Sequence, residues 1–180
     1  MCLIGCFVPD TVRYLMHASG LLCFMRIKYT RLSLLMLVYA AIEEVSSRAS
    51  SALVPILLVN FCGLSAAFHS AYLFDRDAFV RLAKKNEMTM STFWLLNFVV
   101  HVLPVMALSA WFFGNPGAYT VDRYTGVYTA LFHVLWSLRA AGGLNLSPLY
   151  AECSDETWYG IWTVGVTTHM FTGHLIYVLQ

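Results

Sequence analysis

Residues 92–113 read TFWLLNFVVHVLPVMALSAWFF, twenty-two positions without a Lys, Arg, Asp or Glu. As an α-helix rising about 1.5 Å per residue, this stretch is roughly 33 Å long, close to the thickness of a bilayer's hydrocarbon core. Residues 52–74, ALVPILLVNFCGLSAAFHSAYLF, form a second uncharged run of similar length. In lipid the backbone N–H and C=O groups must find partners within their own segment, so runs of this kind read as helices.

Working outward from these two, four more apolar segments cover about 3–24, 29–45, 119–141 and 157–179. The first is interrupted by Pro9, Asp10 and Arg13 and admits several readings: a broken or re-entrant helix, or a surface segment followed by a short span. It makes a poor cleavable signal peptide, because no Lys or Arg precedes its apolar start. The fold expected is all-α, a polytopic transmembrane helix bundle of about six spans, with the crossing of the first left open. The links are short, so residues 1–180 read as a single integral membrane domain.

Composition agrees. Hydrophobic residues make up 59% of the chain and charged residues 12%, with a mean hydropathy of +0.65. Soluble domains carry about a quarter charged residues. The eleven Lys and Arg and ten Asp and Glu cluster mostly between the apolar runs. A net charge of +1 argues against nucleic acid, which calls for a basic stripe facing phosphates. Cys2, Cys6, Cys23, Cys62 and Cys153 form no CxxC pair and no zinc spacing.

The joints carry further signals. Gly114-Asn115-Pro116-Gly117 marks a turn, Ser46 to Ser51 a short polar link and Asp75 to Glu87 a charged one. Arg26, Lys28 and Arg31 in one link and Arg76, Arg81, Lys84 and Lys85 in another fall on the same side of the membrane, whether or not the first segment crosses. The positive-inside rule makes that side cytoplasmic.

Polar residues within apolar spans are costly and therefore informative. His17 lies in the first segment; His69, His101, His133, His169 and His174 lie in the clearer ones, and Asn60, Asn97, Asp122 and Arg123 are also read as intrahelical. Any one histidine is adequately explained as a neutral imidazole bonded to a neighbouring helix. Five together imply a polar cavity. His169 and His174, five apart, fall on different helix faces, whereas metal ligands on one helix favour separations of three or four, so no metal site is expected. A haem held between His101 and His133 on separate helices is a further reading. For nucleophilic chemistry the hydroxyls available include Thr30, Ser33, Ser65 and Ser109, and no GxSxG elbow is present. Composition does not choose among them.

Several pieces in order resemble the androgen-induced family of multispan membrane threonine hydrolases. They are Lys28-Tyr29-Thr30 opening an apolar helix, Phe74-Asp75-Arg76-Asp77 after the third span, and Asn97-Phe98-Val99-Val100-His101 followed by Leu103-Pro104. Thr125-Gly126, Trp136, and Gly143 with Pro148 complete the order, which covers about residues 26–150. The resemblance implies an intramembrane lipid esterase that hydrolyses fatty-acid esters of hydroxy fatty acids, with no cofactor. Thr30 would be the nucleophile, His101 the general base and Asn97 a supporting residue one helical turn away. Substrate would come from the bilayer, and the location implied is the endoplasmic reticulum or another endomembrane, with the plasma membrane as alternative. Thr30 sits near the cytoplasmic face and His101 about ten residues, or roughly 15 Å, into its helix; Ser33, one turn deeper, is the alternative partner. The rival to an enzyme is a non-catalytic scaffold or small channel whose histidines bind helices together.

Overall fold

The computed structural model describes residues 53–115, 117–137 and 153–180. All regular structure among them is helical. The elements are α1 (Leu53–Phe74), α2 (Arg76–Lys85), α3 (Met90–Asn97), a π turn (Phe98–Val102), α4 (Leu103–Gly114), α5 (Thr125–Ser137) and α6 (Asp155–Val178). The segments expected at 3–24 and 29–45, and with them Thr30 and Ser33, lie outside the described residues.

α1 is the hub. It packs on α2, α4, α5, α6 and the π turn. Its buried side chains, among them Val54, Leu58, Phe61, Ala67 and Phe68, surround the helix instead of forming one stripe, which is the pattern of a helix apolar on every face. The run Met90–Gly114, built from α3, the π turn and α4, is more peripheral. Of its most apolar window 33% is buried, against 67% for α1. Leu95, Phe98, Met106 and Phe113 stand exposed on its outer side.

These two are the helices, among the described residues, long and apolar enough to cross a membrane. α6 has 24 residues but intersperses threonines, glycines and two histidines. α5 is apolar and begins only at Thr125, because the chain from Tyr119 to Tyr124 is not helical; its described part covers 13 residues. Asp122 and Arg123 therefore lie outside the helix, on an exposed turn. The cause is local: the Asp122 carboxylate accepts the Tyr124 N–H at 2.6 Å, which competes with helical bonding. Arg123 lies over the Tyr124 ring, 4.4 Å from its centroid.

The charged stretch from Asp75 to Glu87 is mostly α2, an amphipathic helix. Asp75 caps it by accepting the Ala78 N–H at 2.9 Å, and Lys84 and Lys85 end it where cations suit the helix dipole. Ala78, Phe79, Leu82 and Ala83 recur at helical spacing and are buried, while Arg76, Asp77, Arg81, Lys84 and Lys85 stay exposed. Phe79 and Leu82 join Phe68, Ala71, Phe93 and Ile161 in one core cluster. A second cluster gathers Leu57, Leu58 and Phe61 of α1 with Leu108, Phe112, Val121 and Ile176. The Gln180 side chain ties the chain end to the α4–α5 connection, accepting from Val121 N–H at 2.9 Å and donating to its carbonyl at 3.2 Å.

Candidate functional site

Two buried histidine settings stand out. The first begins with Pro104, which has no N–H to offer and whose ring would crowd the carbonyl of Val100, four residues back. The helix widens just before it: Leu103 N–H bonds to Phe98 O, five residues back. Such π turns are rare and recur at functional sites. His101 sits in the widened turn, 8% exposed, on an otherwise apolar stretch.

Its imidazole stacks on Phe68 of α1, with centroids 4.3 Å apart and planes at 15°. His101 Nδ1 is buried and has no hydrogen-bond partner among the described residues. Phe68 also meets His69 edge-on at 5.4 Å and Trp94 at 6.1 Å. One phenyl ring thus links two histidines, of which only His101 was assigned a role from the sequence.

His69 has its own proton assignment. Its Nδ1 lies 2.6 Å from the Ser65 carbonyl oxygen, which can only accept, so Nδ1 carries the hydrogen and donates it. The Ser65 hydroxyl, 3.4 Å from that same nitrogen, therefore faces an N–H and not a base. Ser65 loses its claim as a hydroxyl activated through His69 Nδ1. Asn97 is buried, and its Nδ2 donates to the Phe93 carbonyl at 2.7 Å, so its donor serves its own helix. Ser109 is half-buried in α4. Thr30 lies outside the described residues.

The second setting joins three helices. His133 of α5 and His169 of α6 are both buried, with ring centroids 5.1 Å apart and planes at 50°. Each ring rests over a glycine of a neighbouring helix. A Cβ on Gly63 of α1 would collide with His169 Cδ2 and Nε2, and one on Gly165 of α6 would stand 2.6 Å from His133 Nε2. Gly126 and Gly173 bring α5 and α6 together one turn further on: a Cβ on Gly126 would lie 2.8 Å from the His169 carbonyl oxygen. Small residues of this kind let helix backbones approach closely.

His169 is 0% exposed, and neither of its ring nitrogens has a hydrogen-bond partner among the described residues. His174, five residues on, is exposed, as their separation implies. The two histidines considered for haem part company here, since His133 packs on His169 and His101 on Phe68. The signal that could have found the second setting is Gly165-x3-His169-x3-Gly173, a histidine inside a small-residue stripe at helical spacing.

No group of three or more His, Cys, Asp or Glu gathers at metal-binding distance among the described residues. A surface cavity of about 370 Å³ at the α2–α3 junction is lined by Val80, Ala83, Lys84, Glu87 and Met88–Met90, and no histidine reaches it. No protein-family model, curated protein or solved structure matches the chain.

Proposed function

We propose that this chain is a six-span integral membrane esterase that hydrolyses fatty-acid esters of hydroxy fatty acids, with His101 as general base and Thr30 as nucleophile. The observation that carries the reading is the environment of His101. An unpartnered ring nitrogen in a buried site costs about 1–3 kcal/mol, and here it coincides with a π turn in a long apolar helix. That combination suits a base held ready for a proton.

The reaction has two halves. His101 takes the Thr30 hydroxyl proton as the oxygen attacks the ester carbonyl, then gives that proton to the departing alkoxide of the hydroxy fatty acid. Water, deprotonated by the same imidazole, then attacks the acyl–threonine ester; the imidazolium returns that proton to the departing Thr30 oxygen as the fatty acid is released. Phe68 keeps the His101 ring in plane through both halves. The exposed apolar side chains of Met90–Gly114, α5 and α6 support contact with lipid, from which a two-chain ester would enter between helices. In this arrangement α1, Met90–Gly114, α5 and α6 are four of the six spans, and the basic face of α2 lies at the cytoplasmic surface of an endomembrane such as the endoplasmic reticulum.

The test is hydrolysis of a branched fatty-acid ester by purified wild type, Thr30→Ala and His101→Ala in detergent. Turnover by wild type that both variants lose supports the assignment. Absence of turnover by folded wild type, across several acyl lengths, favours the second reading, a non-catalytic membrane scaffold. That reading draws on the close glycine-lined packing around His133 and His169.

A further inference from the structure

The cavity at the α2–α3 junction has no part in the esterase chemistry, yet it brings both signs of charge together beside apolar side chains. We propose that it binds the headgroup of a zwitterionic glycerophospholipid of the phosphoethanolamine type, with Lys84 on the phosphate and Glu87 on the ammonium group. The proposal rests on the membrane part of the reading above and not on its esterase part.

The first argument is local structure. α2 ends in a turn closed by two backbone bonds, Met88 N–H to the Ala83 carbonyl and Glu87 N–H to the Lys84 carbonyl, both at 3.0 Å. Such an ending needs a residue in the left-handed region, most often glycine. Here Glu87 takes that place with a φ of 54°, the one non-glycine residue at positive φ among the described residues. Its Cβ is unfavourable there, and a carboxylate is unfavourable at the negative end of a helix. Two local penalties fall on one residue, and a cation held against Glu87 offsets the second.

The second argument is charge. Lys84 and Glu87 line the same cavity, but neither side chain has a hydrogen bond or an ion pair among the described residues. A ligand that carries a phosphate and an ammonium a few atoms apart meets both. A purely anionic headgroup meets Lys84 and is repelled by Glu87. The third argument is place. Val80, Ala83, Met88 and Met90 supply an apolar lining, and Met90 opens the apolar run that continues to Gly114. The cavity thus lies where a span begins, beside the amphipathic α2. A glycerol backbone can rest on Val80 and Met88 while the acyl chains follow Met90–Gly114. Free phosphoethanolamine would leave that lining unused. The volume of about 370 Å³ is that of a small-ligand site.

The experiment is native mass spectrometry of the purified full chain in detergent, titrated with dioleoyl phosphatidylethanolamine or dioleoyl phosphatidylglycerol. Phosphatidylethanolamine should bind about 5-fold more tightly, the scale of one exposed charge contact. Lys84→Gln should weaken its binding by about 5-fold, and Glu87→Gln should erase the preference over phosphatidylglycerol. Arg76→Gln removes an exposed cation of α2 outside the cavity and should change neither. Equal affinity of wild type for the two lipids overturns the proposal. So does a preference that survives Glu87→Gln, or an Arg76→Gln effect equal to that of Lys84→Gln. Competition by free phosphoethanolamine as effective as that of the lipid would assign the cavity to a soluble ligand, and also overturns it. Water-soluble dihexanoyl phosphatidylethanolamine reaches the site without a bilayer, so the site and the membrane reading can fail separately. No arm depends on ester turnover.

Discussion

The two buried histidine settings are built in opposite ways. His101 owes its place to its own helix: Pro104 forces the π turn that carries it, and a large aromatic side chain, Phe68, covers its ring. His133 and His169 owe theirs to neighbours that are missing side chains, since Gly63 and Gly165 leave the space the two rings fill. A histidine placed by a widened turn and a stacked ring keeps an edge for chemistry. A histidine seated over a glycine is fixed by steric fit, and its substitution is felt by three helices at once.

The contrast gives a graded set of expectations. His101→Ala should lower ester turnover by about 100- to 10,000-fold, the range a general base supplies, while the detergent unfolding midpoint moves little by comparison. An equal loss in stability would assign His101 to packing instead. Gly63→Ala should act the other way round. Its new methyl collides with the His169 ring, so a stability loss of about 3 kcal/mol is expected from overpacking, read by denaturant titration in detergent. A neutral result would mean that α1 and α6 are less closely packed than the glycine contact requires.

Pro104→Ala sharpens the first setting. Restoring an N–H at position 104 lets the helix close to ordinary α geometry and turns His101 relative to Phe68. Turnover should drop by about 10-fold, since small misplacements of a reacting group are costly, with stability unchanged or slightly raised. Full activity with the π turn gone would separate the bulge from the chemistry. The smallest effect belongs to His174→Gln. It lies on the exposed face of α6, and a stability change within about 0.5 kcal/mol is expected in the same unfolding assay.

How much of this was legible beforehand varies by element. The run 92–113 and its neighbour 52–74 appear in the structure as the helical stretches Met90–Gly114 and Leu53–Phe74, because a long uncharged run taken out of water must satisfy its backbone hydrogen bonds within its own segment. α2 was taken as a charged link: its apolar residues at 78, 79, 82 and 83 are few and lie among five charges, and only contact with Phe68 and Phe93 makes them a core. Asp122 and Arg123 were read into a helix because the surrounding residues are apolar, whereas the Asp122 carboxylate bonds the backbone locally. The widened turn at His101 was not expected, since 92–113 was read as one continuous helix, although its cause, the missing N–H of Pro104, is a property of that residue.

The sequence by itself therefore determined the helical character, the two long apolar runs, the turn after Gly114 and the helix distortion ahead of Pro104. Each follows from short-range rules: hydrogen bonding within a segment, the φ and donor restrictions of proline, and hydropathy. Tertiary structure alone decided which histidines meet. Spacing along one helix states which residues share a face, but not which face of another helix will oppose it. The pairing of His133 with His169 and the use of Gly63 as a cradle arise from the way α1, α5 and α6 close on one another, and the stacking of His101 on Phe68 from the way the π turn packs on α1.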